Sequence, residues 1–137
     1  MGFLSSFHQY SDWGVLLLRL AIAVIFLVHG FPKITGAKQM TAAMGKPQMA
    51  RFFTFLGIAE VLGAIGMTLG LLTQPAALGL AIVMISAIGL KTGTMKAPFT
   101  SHQGPSWEFD FILLAANISL ILTGGGAYAL DRVIFGI

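Results

Sequence analysis

The sequence predicts an all-α integral membrane protein: a four-helix antiparallel bundle forming a single membrane domain over residues 1–137. Composition is the first reason. Hydrophobic residues make up 56% of the chain and charged residues 9%, against roughly 45–50% and 25% in soluble domains. So few charges cannot cover the surface of a water-soluble domain this small. The second reason is that the apolar residues gather in four blocks, about 13–31, 52–72, 75–91 and 107–123. A helix of that length rises about 25–32 Å, which matches a hydrocarbon core of about 30 Å. The third is the lack of the period-2 alternation of a membrane barrel. In lipid the backbone must satisfy itself, and a helix does so within one segment.

The elements follow in order. The first block, Trp13 to Phe31, is expected to end before Pro32. A long loop from Pro32 to Arg51 follows, in which Ala37 to Met44 predicts a short interfacial helix closed by Gly45 and Pro47. The second and third blocks are separated by Thr73-Gln74 alone, so their helices are antiparallel neighbours, with Pro75 in the first turn of the third. Gly124-Gly125-Gly126 ends the fourth helix, and a weakly polar tail carries Tyr128, Asp131 and Arg132. All five prolines are expected at block ends or between blocks.

Several function classes drop out. The chain has no cysteine, which removes disulfides, thiol chemistry and cysteine-ligated metal clusters; no metal is expected. The formal charge of +3 rests on 8 Lys+Arg, too scattered for a nucleic-acid surface. Lys33, Lys38, Lys46 and Arg51 lie in or beside loop one, and Lys91 and Lys96 in or beside loop three. The positive-inside rule therefore places loops one and three in the cytoplasm and both termini outside.

Ionisable residues inside the blocks are expensive in lipid and so point to a site or a partner. Depth follows from about 1.5 Å of rise per residue, counted from the side that carries the termini. Arg19 lies about 9 Å deep, Glu60 about 18 Å, Asp110 about 20 Å, Glu108 about 23 Å, and His29 and Lys91 about 24 Å. Lys33 can bend back into the same layer. Glu60, His29 and Asp110 are the candidates for catalysis, being the types that move protons. Arg19, Lys33, Lys91, Glu108 and Trp107 are the candidates for holding a ligand, the cations by stabilising charge on oxygen. Glu60 has two readings: half of a structural pair with Arg19, or a proton carrier beside His29. The small residues around it, Gly57, Ala59, Gly63, Ala64, Gly66 and Gly70, serve either close helix packing or a slot for a flat ligand.

Four stretches, in this order, resemble the DoxX family of small four-helix membrane proteins. They are Leu18-Arg19-Leu20 leading to His29-Gly30-Phe31-Pro32-Lys33; Glu60-Val61-Leu62-Gly63 leading to Gly70-Leu71-Leu72-Thr73; Trp107-Glu108-Phe109-Asp110; and Thr123-Gly124-Gly125-Gly126 leading to Leu130-Asp131-Arg132. Gln74 departs from the pattern, where family members often carry arginine. The resemblance implies a component of membrane redox systems: a subunit of thiosulfate:quinone oxidoreductase, proteins near quinone and catechol detoxification, or partners of soluble oxidative-stress enzymes.

The expected function is accordingly a quinone-interacting or redox-complex-associated membrane component in the inner membrane of a prokaryote. Quinone is the expected cofactor. Membrane lipid and a protein partner or second copy are the expected contacts, with no nucleic acid. Electrons must come from a partner, because the sequence offers no electron carrier of its own: no cysteine, no flavin fingerprint, and only His29 as a plausible membrane haem ligand. The alternatives are a scaffold that anchors a soluble enzyme and a small proton-coupled transporter worked by Glu60.

Overall fold

Glycine decides how the two longest helices meet. The computed structural model describes residues 2–137, so Met1 of the expected domain lies outside the described residues. A short helix α1 (Gly2–Ser5) and a 3₁₀ turn (Ser6–Tyr10) lead into α2 (Ser11–Ala43). Then come α3 (Ala50–Leu69), α4 (Thr73–Gly89), α5 (Glu108–Thr123) and α6 (Leu130–Phe135). Among the described residues there is no strand. The segments Ser6–Ala43, Pro47–Leu69 and Thr73–Thr94 are each long and apolar enough to cross a membrane.

α2 packs chiefly on α3, α4 on α5, and α3 on α4, while the α2–α5 seam is sparse. The core is a column of Ile22, Phe26, Ala64, Met67, Leu80 and Leu120. Large apolar side chains also face outward all round: Leu17, Val24, Leu62, Ile82 and Leu122 are more than half exposed. Water would not tolerate such a surface; a lipid solvent does.

One expectation is corrected. The first helix does not stop at Pro32 but runs through it to Ala43, leaving helical geometry at Gly36 (φ −122°, ψ 15°). Proline removes one hydrogen bond and crowds the preceding turn, yet tertiary contact holds the helix on both sides. A Cβ on Gly57 of α3 would lie 2.7 Å from the Gly30 carbonyl oxygen, 2.9 Å from Lys33 Cβ and 3.0 Å from Ile34 Cγ1. The two backbones thus touch across Gly30 and Gly57, and the exposed Pro32 lies in the chain between Gly30 and Lys33, which both make that contact. Lys33 is therefore a helical residue, one turn beyond Gly30 on the same face. The short helix expected over 37–44 forms the far part of α2, beyond Gly36.

The end of the bundle that carries the termini is closed by polar bonds. Arg19, 1% exposed, donates from Nε to the Met67 carbonyl (3.0 Å) and from Nη1 to the Gly125 carbonyl (2.6 Å). Met67 belongs to the last turn of α3, whose carbonyls have no partner within the helix. Gly70, at φ +66°, makes the left-handed turn that ends α3. Asp131 accepts from Leu72 N (2.6 Å) and Thr73 N (2.7 Å) and so caps α4, a contribution of about 1–2 kcal/mol. Asp131 N donates in turn to the Gly70 carbonyl (2.9 Å), and Ala127 N donates to Asp12 Oδ1 (2.8 Å). The glycine-rich tail is in this way folded back and pinned.

Candidate functional site

The opposite end of the bundle is open inside. A cavity of about 590 Å³ lies among α2, α3, α4 and α5, with Met44, Met49 and Met95 also lining it. Its walls are mostly apolar, with Phe26, Phe53, Leu56, Val83, Met84 and Leu113 on them. Five ionisable residues line it as well: His29, Lys33, Glu60, Lys91 and Asp110.

Two ion pairs organise these charges. Lys33 Nζ of α2 reaches Glu60 Oε1 of α3 at 2.5 Å. The Gly30–Gly57 contact brings the two helices close enough for that bond. Lys91 Nζ reaches Asp110 Oδ2 of α5 at 2.6 Å. Lys91 sits on a π-helical turn, Leu90–Thr94, that continues α4; such turns re-aim side chains and recur at functional sites. Asp110 lies in the first turn of α5, where the helix dipole favours an anion. Each helix hairpin, α2–α3 and α4–α5, thus carries one lysine–carboxylate pair facing the same cavity.

Hydrogen-bonding capacity is left over. Glu60 is 0% exposed, and its Oε2 has no hydrogen-bond partner among the described residues. A buried carboxylate oxygen without a donor is costly. Each ammonium has three donors and spends one on its carboxylate. His29 bonds through Nδ1 to the Ile25 carbonyl at 2.8 Å. A carbonyl only accepts, so Nδ1 carries the proton and Nε2 of the neutral ring is an acceptor. The His29 ring lies 5.8 Å from that of Phe109. The cavity therefore offers donors and acceptors together, at no net charge from its lysines and carboxylates.

The remaining sequence candidates lie elsewhere. Arg19 does not pair with Glu60; it binds the Met67 and Gly125 carbonyls at the other end of the bundle. Glu108 is exposed at the start of α5, its N–H donating to the Phe99 carbonyl (3.0 Å). Trp107 packs edge-on against Phe99, centroids 4.6 Å apart, and against Phe111 at 6.2 Å, where it anchors loop three. Three polar residues outside the sequence-based site candidates are structural or buried. These are Asp12, Asp131 and Asn117, the last 0% exposed with Oδ1 unpartnered. Asn117 follows Asp110 by two helical turns on one face of α5, and that spacing was the available signal.

The comparisons with known proteins agree with this architecture. No solved structure matches the chain. A protein of Bacillus subtilis (strain 168) named "Putative oxidoreductase CatD" is 35% identical over 129 residues, covering 93% of this chain and 92% of that protein. Inner membrane protein YphA of Escherichia coli (strain K12) is 29% identical over 140 residues, covering 90% of this chain and 96% of that protein. Inner membrane protein YqjF of the same organism is 28% identical over 136 residues, covering 92% and 95%. The DoxX family model matches residues 14–102, a stretch that holds most of α2, all of α3 and α4 and four of the five ionisable cavity residues. This membrane protein therefore belongs to the DoxX family.

Proposed function

We propose that the chain is a quinone-interacting membrane component that holds the ring of a quinone in the lysine–carboxylate cavity. The observation that carries this reading is the unpartnered Glu60 Oε2, fully buried in an apolar cavity of about 590 Å³. That volume suits a small organic ligand. With each lysine already neutralised, a permanently charged ligand would add net charge to a low-dielectric site; a neutral one would not. A quinone presents carbonyl oxygens, which accept from the spare N–H groups of Lys33 and Lys91. Its reduced form presents hydroxyls, which donate to Glu60 Oε2 and His29 Nε2. The site serves both forms without moving a helix. When bound, a quinone supplies the electron-accepting chemistry that this cysteine-free chain lacks.

Four crossings complete the reading: α5, of 16 residues, spans with the help of the glycine turn that follows it. Electrons come from a protein partner on the basic loop side, and the relative from Bacillus subtilis named an oxidoreductase supports that setting. Transport is disfavoured, because the polar groups at the other end of the bundle are committed to capping backbone. Loops one and three face the cytoplasm, as their lysines favour. Single cysteines at Ser5 and Gln39 test that orientation with an impermeant thiol reagent on intact cells. Ser5→Cys labels and Gln39→Cys does not; the reverse pattern sinks the assignment.

Ligand binding is tested with Glu60→Gln. The amide keeps an acceptor for Lys33 and turns the spare position into a donor. In lipid nanodiscs, affinity for a benzoquinol probe falls about tenfold, the worth of one hydrogen bond. Affinity for the oxidised probe changes about threefold or less by the same scale. Wild-type protein that binds neither form, or a variant that binds both as the wild type does, defeats the proposal.

A further inference from the structure

The helices around the cavity are joined unequally. Gly57 lets α2 close on α3, and Gly63 takes Leu80 of α4 into α3. Among the described residues no glycine does the same between α2 and α5, and that seam is the sparsest of the bundle. Two rings meet across it: His29 of α2 and Phe109 of α5, centroids 5.8 Å apart and planes inclined by 35°. Both residues line the cavity and both are exposed on the outside of the bundle. At this place one layer of side chain separates the cavity from its surroundings. The rings stand within the range of touching aromatic pairs, about 4.5–7 Å, so the seam is shut.

The surroundings here are hydrocarbon. His29 lies two residues inside the end of the first apolar block. Val28, beside it, is 64% exposed, and Ile112, one turn on from Phe109, is 60% exposed. A ligand that meets this face comes out of lipid.

The two rings are held differently. His29 is tethered, its Nδ1 donating to the Ile25 carbonyl of its own helix. On α5 the neighbours of Phe109 are tethered too, because Trp107 and Phe111 pack edge-on with Phe99. Phe109 takes no part in that cluster; among the described residues its one ring contact is His29. A phenylalanine moves between staggered rotamers without help from the backbone. Asp110, next in the chain, and Leu113, one turn further, line the cavity behind it.

We infer that Phe109 is the gate of a membrane-side entrance, swinging off the fixed His29 ring to admit a lipid-dissolved ligand between α2 and α5. What is admitted rests on the quinone reading; the gate itself is a property of this chain and is tested without a quinone.

The chain has no cysteine, so one introduced thiol reports access to the cavity. Leu113→Cys places it on the cavity wall behind Phe109, at a position 6% exposed. In nanodiscs a lipid-soluble maleimide modifies this thiol, and Phe109→Ala in the same protein speeds the modification about tenfold, the worth of one ring–ring contact in the barrier. Phe109→Trp slows it by a similar factor. A permanently charged thiol reagent, confined to water, reacts more slowly than the maleimide in all three proteins. Val83→Cys, on the α4 wall of the cavity, repeats the series if Leu113→Cys folds poorly. A rate that is the same whatever stands at position 109 overturns the proposal. So does faster reaction with the charged reagent, which means entry from water. The benzoquinol probe judges the quinone reading separately. Where it binds, Phe109→Ala speeds its association and dissociation together and leaves affinity within about threefold; lost affinity at unchanged association rate makes Phe109 a binding residue and not a gate. If the thiol series behaves as expected and the probe does not bind, the entrance stands and the quinone reading has failed.

Discussion

Lys33→Met destabilises the folded protein by about 3–5 kcal/mol, as expected when one partner of a buried ion pair is removed. Glu60→Gln costs far less. The asymmetry follows from burial. The Lys33 side chain is 20% exposed and that of Glu60 1%. An unpaired lysine uses its long stem to carry the ammonium toward the exposed mouth of the cavity. Glu60 is held in the middle of α3 on a shorter side chain, 1% exposed, and without Lys33 no cation offsets the burial of its carboxylate.

The double variant Lys33→Met/Glu60→Leu separates the pair's net value from the penalty of breaking it. Replacing both charges with apolar groups recovers most of the loss, to within about 1–2 kcal/mol of the wild type. Unfolding in mixed micelles measures all three proteins as a double-mutant cycle. Lys91→Met is milder than Lys33→Met, because Asp110 is 9% exposed at the side chain and has the first turn of α5 to solvate it. If Lys33→Met proves no worse than Glu60→Gln, then Glu60 has another partner in the membrane and the asymmetry argument is wrong.

Depth was legible in the sequence because the rise per residue of a helix is fixed and a membrane fixes where helices end. That arithmetic brings His29, Glu60, Lys91, Asp110 and Glu108 to one level; the first four, with Lys33, are the ionisable lining of the cavity, whereas Glu108 is exposed at the start of α5. Azimuth and closeness were not legible. Nothing in the order of residues says that Arg19 turns toward the end of α3 and the glycine loop, or that Trp107 packs on Phe99 of its own loop. Pro32 misled for a related reason: local rules stop a helix at proline, while the contact of Gly30 with Gly57, twenty-seven positions away in the chain, carries it on. Lys33, expected at the start of loop one and bending back into the charged layer, is carried into that layer by the helix itself. Asp131 went unrecognised because a cap on α4 supplied from the tail depends on how the glycine turn folds back.

Gly57→Ala loosens the molecule more than its single methyl suggests. The added Cβ would stand 2.7 Å from the Gly30 carbonyl oxygen and 2.9 Å from Lys33 Cβ. Those are backbone and first side-chain atoms, which cannot swing aside as a chain end can, so α2 and α3 must separate. Overpacking of this kind costs about 1–3 kcal/mol, enough to outweigh the ~1 kcal/mol by which alanine is the better helix former. Separation also stretches the 2.5 Å bond from Lys33 to Glu60, which hangs from the same crossing. Gly57→Leu is therefore expected to prevent folded protein from accumulating. Gly79→Ala is the matched control: its Cβ meets nothing within 4 Å, so it gains about 0.5–1 kcal/mol from the helix preference alone. Both alanine variants are read by unfolding in the same micelles. A Gly57→Ala protein as stable as Gly79→Ala would mean that the α2–α3 crossing gives way freely, and the lysine–carboxylate geometry would then be set by something other than this contact.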